Sequence, residues 1–422
     1  MRRVAVTGIG AVTPLGNDAR TTWRALLAGQ SGIGHISAFD PAPFPVRIAG
    51  EVKDFDAASV VSAKKARNLD RAVLFALAAT KEALEDAGLT GSSAVSEGSG
   101  ARNGYRPERV GVALGSCVGG VNQLMNQYDV LRDRGPDRVS PSFLANILVD
   151  ASSGQVAIEF GLRGPNYAPV SACATGSHSV GEGAELIRRG DADAVVAGGT
   201  EGSINPLILA AFCSMRGLAA ENGDPTRASR PFDATRSGFV MAEGAAVLVL
   251  EELESARARG ARIYAEVLGH GSSNDAYHMA APEPDAIGVA AMMRQALERA
   301  RVDREAVGYV NAHGTGTPLG DVAETKAIKQ VFGARAYELP VSSTKSMLGH
   351  MFGAAGAVEA MVCALAIHEG TIPPTINYEH PDPDCDLDYV PNEARAAKVD
   401  VALSNAMGLG GHNACVVLGR VD

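Results

Sequence analysis

The chain has 422 residues, of which 46% are hydrophobic and 20% charged, and this composition excludes a largely disordered protein. Its 38 Lys and Arg against 48 Asp and Glu give a net charge of −10, which disfavours nucleic-acid binding because phosphate recognition needs a basic surface. At roughly 150 residues per domain, the length allows about three domains or one large α/β unit.

Short, valine-rich apolar runs alternate with helical patterns along the chain, which predicts an α/β fold. The strand-like runs, which are apolar on both faces as buried strands are, cover residues 4–9, 110–114, 194–197, 245–250, 263–268 and 413–418. The helical patterns cover residues 21–28, 71–87, 176–189, 286–300, 322–332 and 353–369. The last pattern is small or apolar through its first half, which indicates a buried central helix.

Two features suggest how these elements are organised. Residues 90–109 carry Gly-Ser-Ser, Ser-Glu-Gly-Ser-Gly and Asn-Gly, which predicts a solvated surface loop. A charged helical segment at residues 251–260 joins two strand-rich halves, and each half places a small-residue helix after a strand and turn. This repetition hints at an internal duplication. We therefore expect two units, residues 1–256 and residues 257–422.

The start of the chain resembles the charged opening of a signal peptide, because two arginines precede an apolar run. Gly8 and Gly10 interrupt that run and Pro14 ends it, so we interpret it as a first strand and turn. No uninterrupted apolar stretch reaches about 18 residues, and no membrane span is expected. The six cysteines include no CxxC pair, so no zinc ribbon or dithiol site is indicated locally and we expect reduced thiols in the cytoplasm.

Cys173 is the first candidate for chemistry. A strand-like segment at residues 167–170 leads into Ser-Ala-Cys, and a helix follows. Backbone N–H groups at a helix N-terminus favour negative charge, so this position predicts a more populated thiolate. The alternative is a small buried core cysteine, and at this point both interpretations stay open. The core interpretation is applied to the other five: Cys117, Cys213, Cys363, Cys385 and Cys415.

A second candidate is the run Asn-Ala-His-Gly-Thr-Gly-Thr at residues 311–317. A strand ends near His313, and the following turn presents one imidazole and two hydroxyls. Thr315 and Thr317 are suited to hydrogen-bond an amide-containing ligand arm. The alternative is an ordinary turn with a surface histidine.

Two further turns precede buried elements of the second half. Residues 343–350, Ser-Thr-Lys-Ser-Met-Leu-Gly-His, place His350 five residues after Lys345. The histidine is suited to donate to an oxygen and the lysine to orient a neighbouring or charged group. The alternative is a helix N-terminal loop with a solvated lysine. Residues 405–412, Asn-Ala-Met-Gly-Leu-Gly-Gly-His, form a glycine-rich turn before the last strand. Its backbone N–H groups are suited to an oxyanion site, although the turn alone is weak evidence.

One reaction needs all of these groups. A cysteine takes an acyl group from a thioester, and two histidines donate to a second thioester oxygen and stabilise an enolate. This chemistry requires no metal or redox cofactor. Protease-like catalysis instead needs one histidine and an orienting Asn or Asp. Two histidines in separate turns therefore favour carbon–carbon bond formation over water activation.

At these residues the sequence resembles the β-ketoacyl-acyl-carrier-protein synthases, the type II elongating condensing enzymes. The resemblance extends over nearly the whole chain and includes residues 6–10, 172–176, 311–315, Lys345, 349–350 and 410–413. It implies the thiolase fold, which is two similar α/β halves packed in five layers. It also implies a homodimer, with a heterodimer left open, and an acyl carrier protein as partner. No resident cofactor is implied, because phosphopantetheine arrives on the carrier.

The resemblance implies a role for each matching residue. Cys173 would be the acyl-accepting nucleophile, and its backbone N–H and that of Leu409 would form the oxyanion hole. His313 and His350 would hydrogen-bond the malonyl thioester carbonyl and promote decarboxylation. Lys345 and Glu324 would form a supporting polar network, and Thr315 and Thr317 would hold the phosphopantetheine arm. Val118 and Phe212 would line the acyl pocket. Phe143 would reach the partner subunit's pocket.

Met407 and Leu409 stand where the family commonly has phenylalanine, and the second of those phenylalanines gates the acyl pocket. The smaller, more flexible side chain at the gate leaves acyl-chain selectivity and gating open, and the condensing step is expected to be intact because the oxyanion donor is backbone. Carrier proteins are acidic, so a local basic patch is expected despite the net charge. The residues at or beside the matching positions are Lys64, Arg67, Arg138 and Arg216.

An elongating ketosynthase of fatty-acid synthesis is the leading interpretation. A ketosynthase subunit of a type II polyketide system has the same chemistry and remains an alternative. An inactive chain-length partner subunit lacks the nucleophile, so Cys173 argues against it. A degradative thiolase needs a second cysteine near the C-terminus as an acid, whereas Cys415 lies within the predicted final strand.

Overall fold

A computed structural model describes residues 2–89 and 105–421. Its strands are β1 (Val4–Val12), β2 (Gly34–His35), β3 (Ile48–Ala49), β4 (Val110–Ser116), β5 (Asn166–Tyr167), β6 (Ala194–Glu201), β7 (Gly244–Glu252), β8 (Ala265–Asn274), β9 (Tyr309–Asn311), β10 (Val341–Ser342), β11 (Thr371–Ile372), β12 (Arg395–Ala396), β13 (Val401–Gly408) and β14 (His412–Gly419). Most of the loop predicted at residues 90–109 lies outside the described residues; residues 105–109 include a 3₁₀ turn.

The α-helices lie between these strands and cover their faces. They are α1 (Ala19–Leu27), α2 (Ala63–Ala66), α3 (Arg71–Asp86), α4 (Val121–Arg134), α5 (Phe143–Ile147), α6 (Ala151–Phe160), α7 (Thr175–Arg189), α8 (Pro206–Met215), α9 (Leu253–Ala258), α10 (Ile287–Ala300), α11 (Pro318–Phe332), α12 (Lys345–Leu348) and α13 (Ala355–Glu369). The six predicted helices and six predicted strands are present, with ends that differ by a few residues.

The main strands repeat one pattern in the two halves of the chain. Their order is β5-β4-β6-β7-β1 in the first half and β10-β9-β13-β14-β8 in the second. In each array the first three strands are parallel, and each of the last two is antiparallel to its neighbours. The arrays meet where β1 pairs with β8 through two residue pairs. This repeated topology is the one an internal duplication produces; the boundary between residues 256 and 257 falls inside α9 and stays a prediction.

The helices complete five layers. At the centre, α7 and α13 pack against each other, and each contacts strands of both arrays. On the outside, α3 covers β1 and β7, while α10 covers β8 and β14. Gly10 permits the close approach of α3, because a Cβ there would lie 2.0 Å from the carbonyl oxygen of Ala79. The predicted thiolase-type α/β fold is therefore confirmed.

The apolar helix at the centre has the length and composition of a membrane span. Within the described residues, only the segment Phe352–Glu369 meets both criteria, and 89% of it is buried inside the protein. Every residue of α13 from Ala355 to Ile367 is buried. The segment is thus a core helix, as the sequence indicated.

One predicted turn is shorter than expected. Residues 405–408 belong to β13, where they pair with residues 412–415 of β14, so only residues 409–411 form the turn. Likewise, β5 ends at Tyr167, and the run predicted at residues 167–170 does not continue as a strand. These corrections matter for the site, because a strand fixes residues 405–408 more rigidly than a glycine-rich loop would.

Candidate active site

Cys173 lies in the tight turn that enters α7. The preceding residue, Ala172, has a φ of 51°, a left-handed conformation that costs a non-glycine residue about 1–3 kcal/mol. The backbone N–H of Ser171 donates to Thr175 Oγ1 at 2.9 Å, which helps to hold the turn. The cysteine is 7% exposed and stands one residue before the helix N-cap, Ala174.

A cavity of about 440 Å³ brings this cysteine together with the two predicted histidines. Its lining also includes four of the six predicted substrate-binding residues and the predicted oxyanion residue Leu409; the four are Phe212, Thr315, Thr317 and Met407. The rings of His313 and His350 are nearly perpendicular, with centroids 5.3 Å apart. The side chains of Cys173, His313 and His350, which come from turns far apart in the sequence, therefore line the same cavity, as the sequence pattern predicted.

Both imidazoles are neutral at neutral pH. Burial holds the pKa of His313 well below its usual value; the charge of Lys345 and the repulsion that a protonated His350 would exert lower it further. Burial, followed by the charge of Lys345, also holds the pKa of His350 well below its usual value. A neutral imidazole offers one N–H donor and one basic nitrogen, so each ring can donate to an oxygen or accept a proton.

The predicted thiolate at Cys173 is not supported. Burial raises the pKa of the Cys173 thiol to about 12, although a hydrogen bond from the Leu409 backbone N–H and the charge of Lys345 both lower it. The helix N-terminus is therefore outweighed by the loss of solvation. The thiol is protonated in the resting protein and must lose its proton during attack.

The same hydrogen bond brings the turn at Leu409 next to Cys173. The Leu409 N–H faces the sulfur of Cys173, whose own backbone N–H also stabilises its thiolate. Gly408 permits this approach, because a Cβ there would meet the Ser171 carbonyl oxygen at 2.7 Å and the Cys173 nitrogen at 3.1 Å. The end of β13 therefore packs directly against the turn that carries Cys173.

Lys345 forms its ion pair with a residue that the sequence interpretation did not name. Its ammonium forms a buried ion pair with Glu359 of α13, not a hydrogen bond with Glu324. Glu324 instead accepts the backbone N–H groups of His313 and Gly314, both at 2.8 Å. Burial raises the pKa of Glu324, and these two hydrogen bonds and the charge of Lys345 limit the rise. Glu324 therefore fixes the turn that carries His313, and Glu359 holds the lysine.

Val118, a predicted acyl-pocket residue, lies outside this cavity, and the prediction that Phe143 reaches the partner subunit's pocket stays a prediction. Among the described residues, Val118 and Phe143 are not part of the cavity lining; Val118 follows β4 and Phe143 begins α5. Of the four predicted carrier-binding residues, only Arg216 lines the cavity. All four are exposed: Lys64, Arg67, Arg138 and Arg216.

An aromatic wall beside His350 was missed by the sequence interpretation. Phe352 stacks on Phe212 with centroids 5.2 Å apart, and Phe239 meets both rings edge to face. Phe352 has a φ of 43° and its ring centroid lies 4.9 Å from that of His350. Its position two residues after the histidine was an available signal, whereas nothing in the sequence around Phe239 indicated its role. Glu359 was also detectable, as the one acid in the first half of an apolar helix.

Comparison with protein families identifies the group to which this arrangement belongs. The model of the beta-ketoacyl synthase N-terminal domain matches residues 1–256, and that of the C-terminal domain matches residues 264–379. The chain belongs to the beta-ketoacyl synthase family. Members of this family are acyl-transferring condensing enzymes.

Individual relatives share the whole length of this synthase. The 3-oxoacyl-(acyl-carrier-protein) synthase 2 of Coxiella burnetii is 49% identical over 420 residues, covering 100% of this chain and 99% of the relative. That of Synechocystis is 48% identical over 412 residues, covering 98% and 96%. A solved type II polyketide ketosynthase in complex with its acyl-carrier protein is 33% identical, with a TM-score of 0.89 and complete coverage of both chains.

Proposed function

We propose that this protein is a 3-oxoacyl-acyl-carrier-protein synthase of fatty-acid elongation. It would condense an acyl group held on Cys173 with malonyl-carrier and release 3-oxoacyl-carrier and CO₂. The observation that carries this proposal is the single cavity bordered by Cys173, His313 and His350. The full-length similarity to synthases of that name supports the same substrate class.

The first half-reaction loads the enzyme. The Cys173 sulfur attacks the carbonyl of an acyl-carrier thioester, and the oxyanion accepts hydrogen bonds from the N–H groups of Cys173 and Leu409. The bond to the carrier sulfur then breaks. Because burial raises the thiol's pKa, a neutral imidazole of the cavity takes the thiol proton during attack and returns it to the departing carrier thiolate.

The second half-reaction forms the new carbon–carbon bond. His313 and His350 each donate an N–H to the malonyl thioester oxygen, the carboxyl carbon leaves as CO₂, and its electron pair forms an enolate. The enolate carbon attacks the acyl-cysteine carbonyl, and the carbon–sulfur bond to Cys173 breaks. The released thiolate takes up a proton from solvent. Two half-reactions on one nucleophile give ping-pong kinetics.

The substrate arm would enter past two threonines. Thr315 and Thr317 line the cavity, and their hydroxyl oxygens lie 3.1 Å apart, so both can meet amide groups of a phosphopantetheine arm. We infer that the protein holds no resident cofactor, since that arm arrives on the carrier. Arg216 at the cavity is suited to the acidic carrier, and Lys64, Arg67 and Arg138 are proposed to extend the basic surface.

The protein is proposed to act as a homodimer in the cytoplasm, with a heterodimer as the alternative. Exposed apolar side chains cluster on α4, α5 and α6, and large exposed apolar patches mark interfaces; they are Leu124, Tyr128, Leu131, Leu144, Leu148 and Ile158. The edge strand β5 adjoins them. Phe143 of α5 would then reach the partner's pocket. The six free thiols suit a reducing compartment.

One assay tests the reaction and the alternative. Purified protein is incubated with acyl carriers of several lengths and with malonyl-carrier, and intact mass identifies acyl-enzyme and products. A single two-carbon extension of saturated acyl groups supports fatty-acid elongation. Repeated extension to unreduced polyketones supports the polyketide alternative, which the similarity to a polyketide ketosynthase keeps in view. Absence of any acyl-enzyme would refute the proposal.

A further inference from the structure

A chain of hydrogen bonds connects the nucleophile's turn to the other half of the protein. Ser171 Oγ lies 2.6 Å from His178 Nδ1, and His178 Nε2 lies 3.1 Å from Ser272 Oγ. His178 belongs to α7 of the first half, whereas Ser272 belongs to β8 of the second. These three residues are not among the described residues that line the cavity. The chain of hydrogen bonds therefore reaches the turn from outside the cavity.

The turn needs such support because it is strained. Ser171 directly precedes Ala172, whose left-handed φ of 51° persists only where neighbours fix it. The Ser171 backbone is bonded to Thr175, and its hydroxyl has His178 as its partner. Burial, then the charge of His412, lowers the pKa of His178, so the ring is neutral. The neutral ring has one donor nitrogen and one acceptor nitrogen. The hydroxyls of Ser171 and Ser272 can each donate or accept, so both nitrogens can be hydrogen-bonded.

The far end of the chain lies in the half that carries both imidazoles. The Ser272 backbone N–H donates to Gln295 Oε1 of α10 at 2.7 Å, and Ser272 pairs with Ala414 of β14. His178 thus connects the sulfur's turn to the array on which His313 and His350 are mounted. A displacement of about 1 Å in a reacting group can lower a rate by about a hundredfold.

We propose that His178, acting through Ser171 and Ser272, is a positioning residue that sets the place of the Cys173 sulfur relative to the two imidazoles. This inference rests on the proposed function. It predicts that loss of the chain slows acylation of Cys173 selectively. Decarboxylation of malonyl-carrier depends on His313 and His350 and does not use the sulfur, so it would be spared.

The test measures both half-reactions separately in full-length variants. Ser171→Ala removes the near bond, and Ser272→Ala removes the far bond. Ser273→Ala is the matched control, because its hydroxyl bonds the Gly288 carbonyl at 2.6 Å, away from the chain. We expect acylation to slow about tenfold in Ser171→Ala and less in Ser272→Ala, with decarboxylation and the melting temperature nearly unchanged. The control should match the wild type.

His178 itself is tested by a graded pair. His178→Asn keeps a polar group near the Nδ1 position and should retain more acylation than His178→Ala. Equal losses in the two half-reactions, or no loss in the Ser171→Ala and His178→Ala variants, would overturn the positioning role. A wild-type protein that forms no acyl-enzyme would instead refute the proposed function, so the two failures are distinguishable.

Discussion

His313 and His350 meet edge to face, with ring centroids 5.3 Å apart and planes at 88°. One ring follows β9 and the other follows α12, so the pair exists only when the second half is folded. Burial and the charge of Lys345 keep both rings neutral. Two neutral donors beside one thiol suit an enolate, which needs hydrogen bonds more than it needs a full positive charge.

Replacing Cys173, the proposed nucleophile, should prevent acyl loading of the enzyme. In Cys173→Ala the acyl-accepting sulfur is lost, so intact mass should show no acyl adduct after incubation with acyl-carrier. Binding of the carrier should persist, because the exposed basic residues are unchanged. Retained acyl labelling in this variant would contradict the assignment of Cys173.

The raised pKa of Cys173 predicts how its alkylation depends on pH. With a thiol pKa of about 12, the thiolate fraction should rise about tenfold per pH unit from pH 6 to 9. The rate of iodoacetamide labelling at Cys173, followed by peptide mass, should rise in parallel. The Cys173→Ala variant corrects for labelling of other cysteines. A plateau reached by pH 8 would show that a thiolate forms more readily than burial indicates.

The depressed imidazole pKa values predict a different profile for decarboxylation. A histidine whose pKa lies well below 6.5 stays neutral as pH falls through 6.5. The malonyl-carrier decarboxylation rate should therefore remain nearly constant between pH 8 and 6. A decline centred near pH 6.5 would mean that His313 or His350 titrates like an exposed histidine.

The buried ion pair between Lys345 and Glu359 should contribute strongly to stability. In Glu359→Gln the lysine charge is left buried without its partner, and such a loss costs about 3–5 kcal/mol. Urea unfolding at pH 8, above the Glu359 pKa that burial raises to about 7, measures the change. Glu338→Gln is the control: it removes a 77% exposed partner of Arg335 and should cost less than about 1 kcal/mol. Equal losses of unfolding free energy in the two variants would show that the buried pair contributes no more to stability than an exposed one.

Leu409 is expected to influence which acyl chains enter. Its side chain lines the cavity and is 38% exposed, so a phenylalanine there would occupy more of the opening. Leu409→Phe should slow loading of long acyl chains more than short ones, while the backbone oxyanion donor stays in place. A chain-length profile identical to that of the wild type would argue against a gating role.

The sequence was sufficient for the α/β alternation, because the buried strands are short valine-rich runs and the helices lie between them. It also singled out Cys173, His313 and His350, since each lies next to glycine or small residues that mark a tight turn. The thiol's protonation state was mispredicted, because desolvation depends on tertiary packing around the sulfur. The partner of Lys345 was missed for the same reason, since only the fold places α13 against that lysine.

The repeated strand pattern also has a consequence for how activity responds to distant changes. The sulfur is supplied by the first array and both imidazoles by the second, and the arrays share two residue pairs at their edges together with the contact between α7 and α13. The rate of condensation therefore depends on the relative position of the two strand arrays. A small shift between the two arrays would move the sulfur away from the imidazoles and lower the rate of condensation.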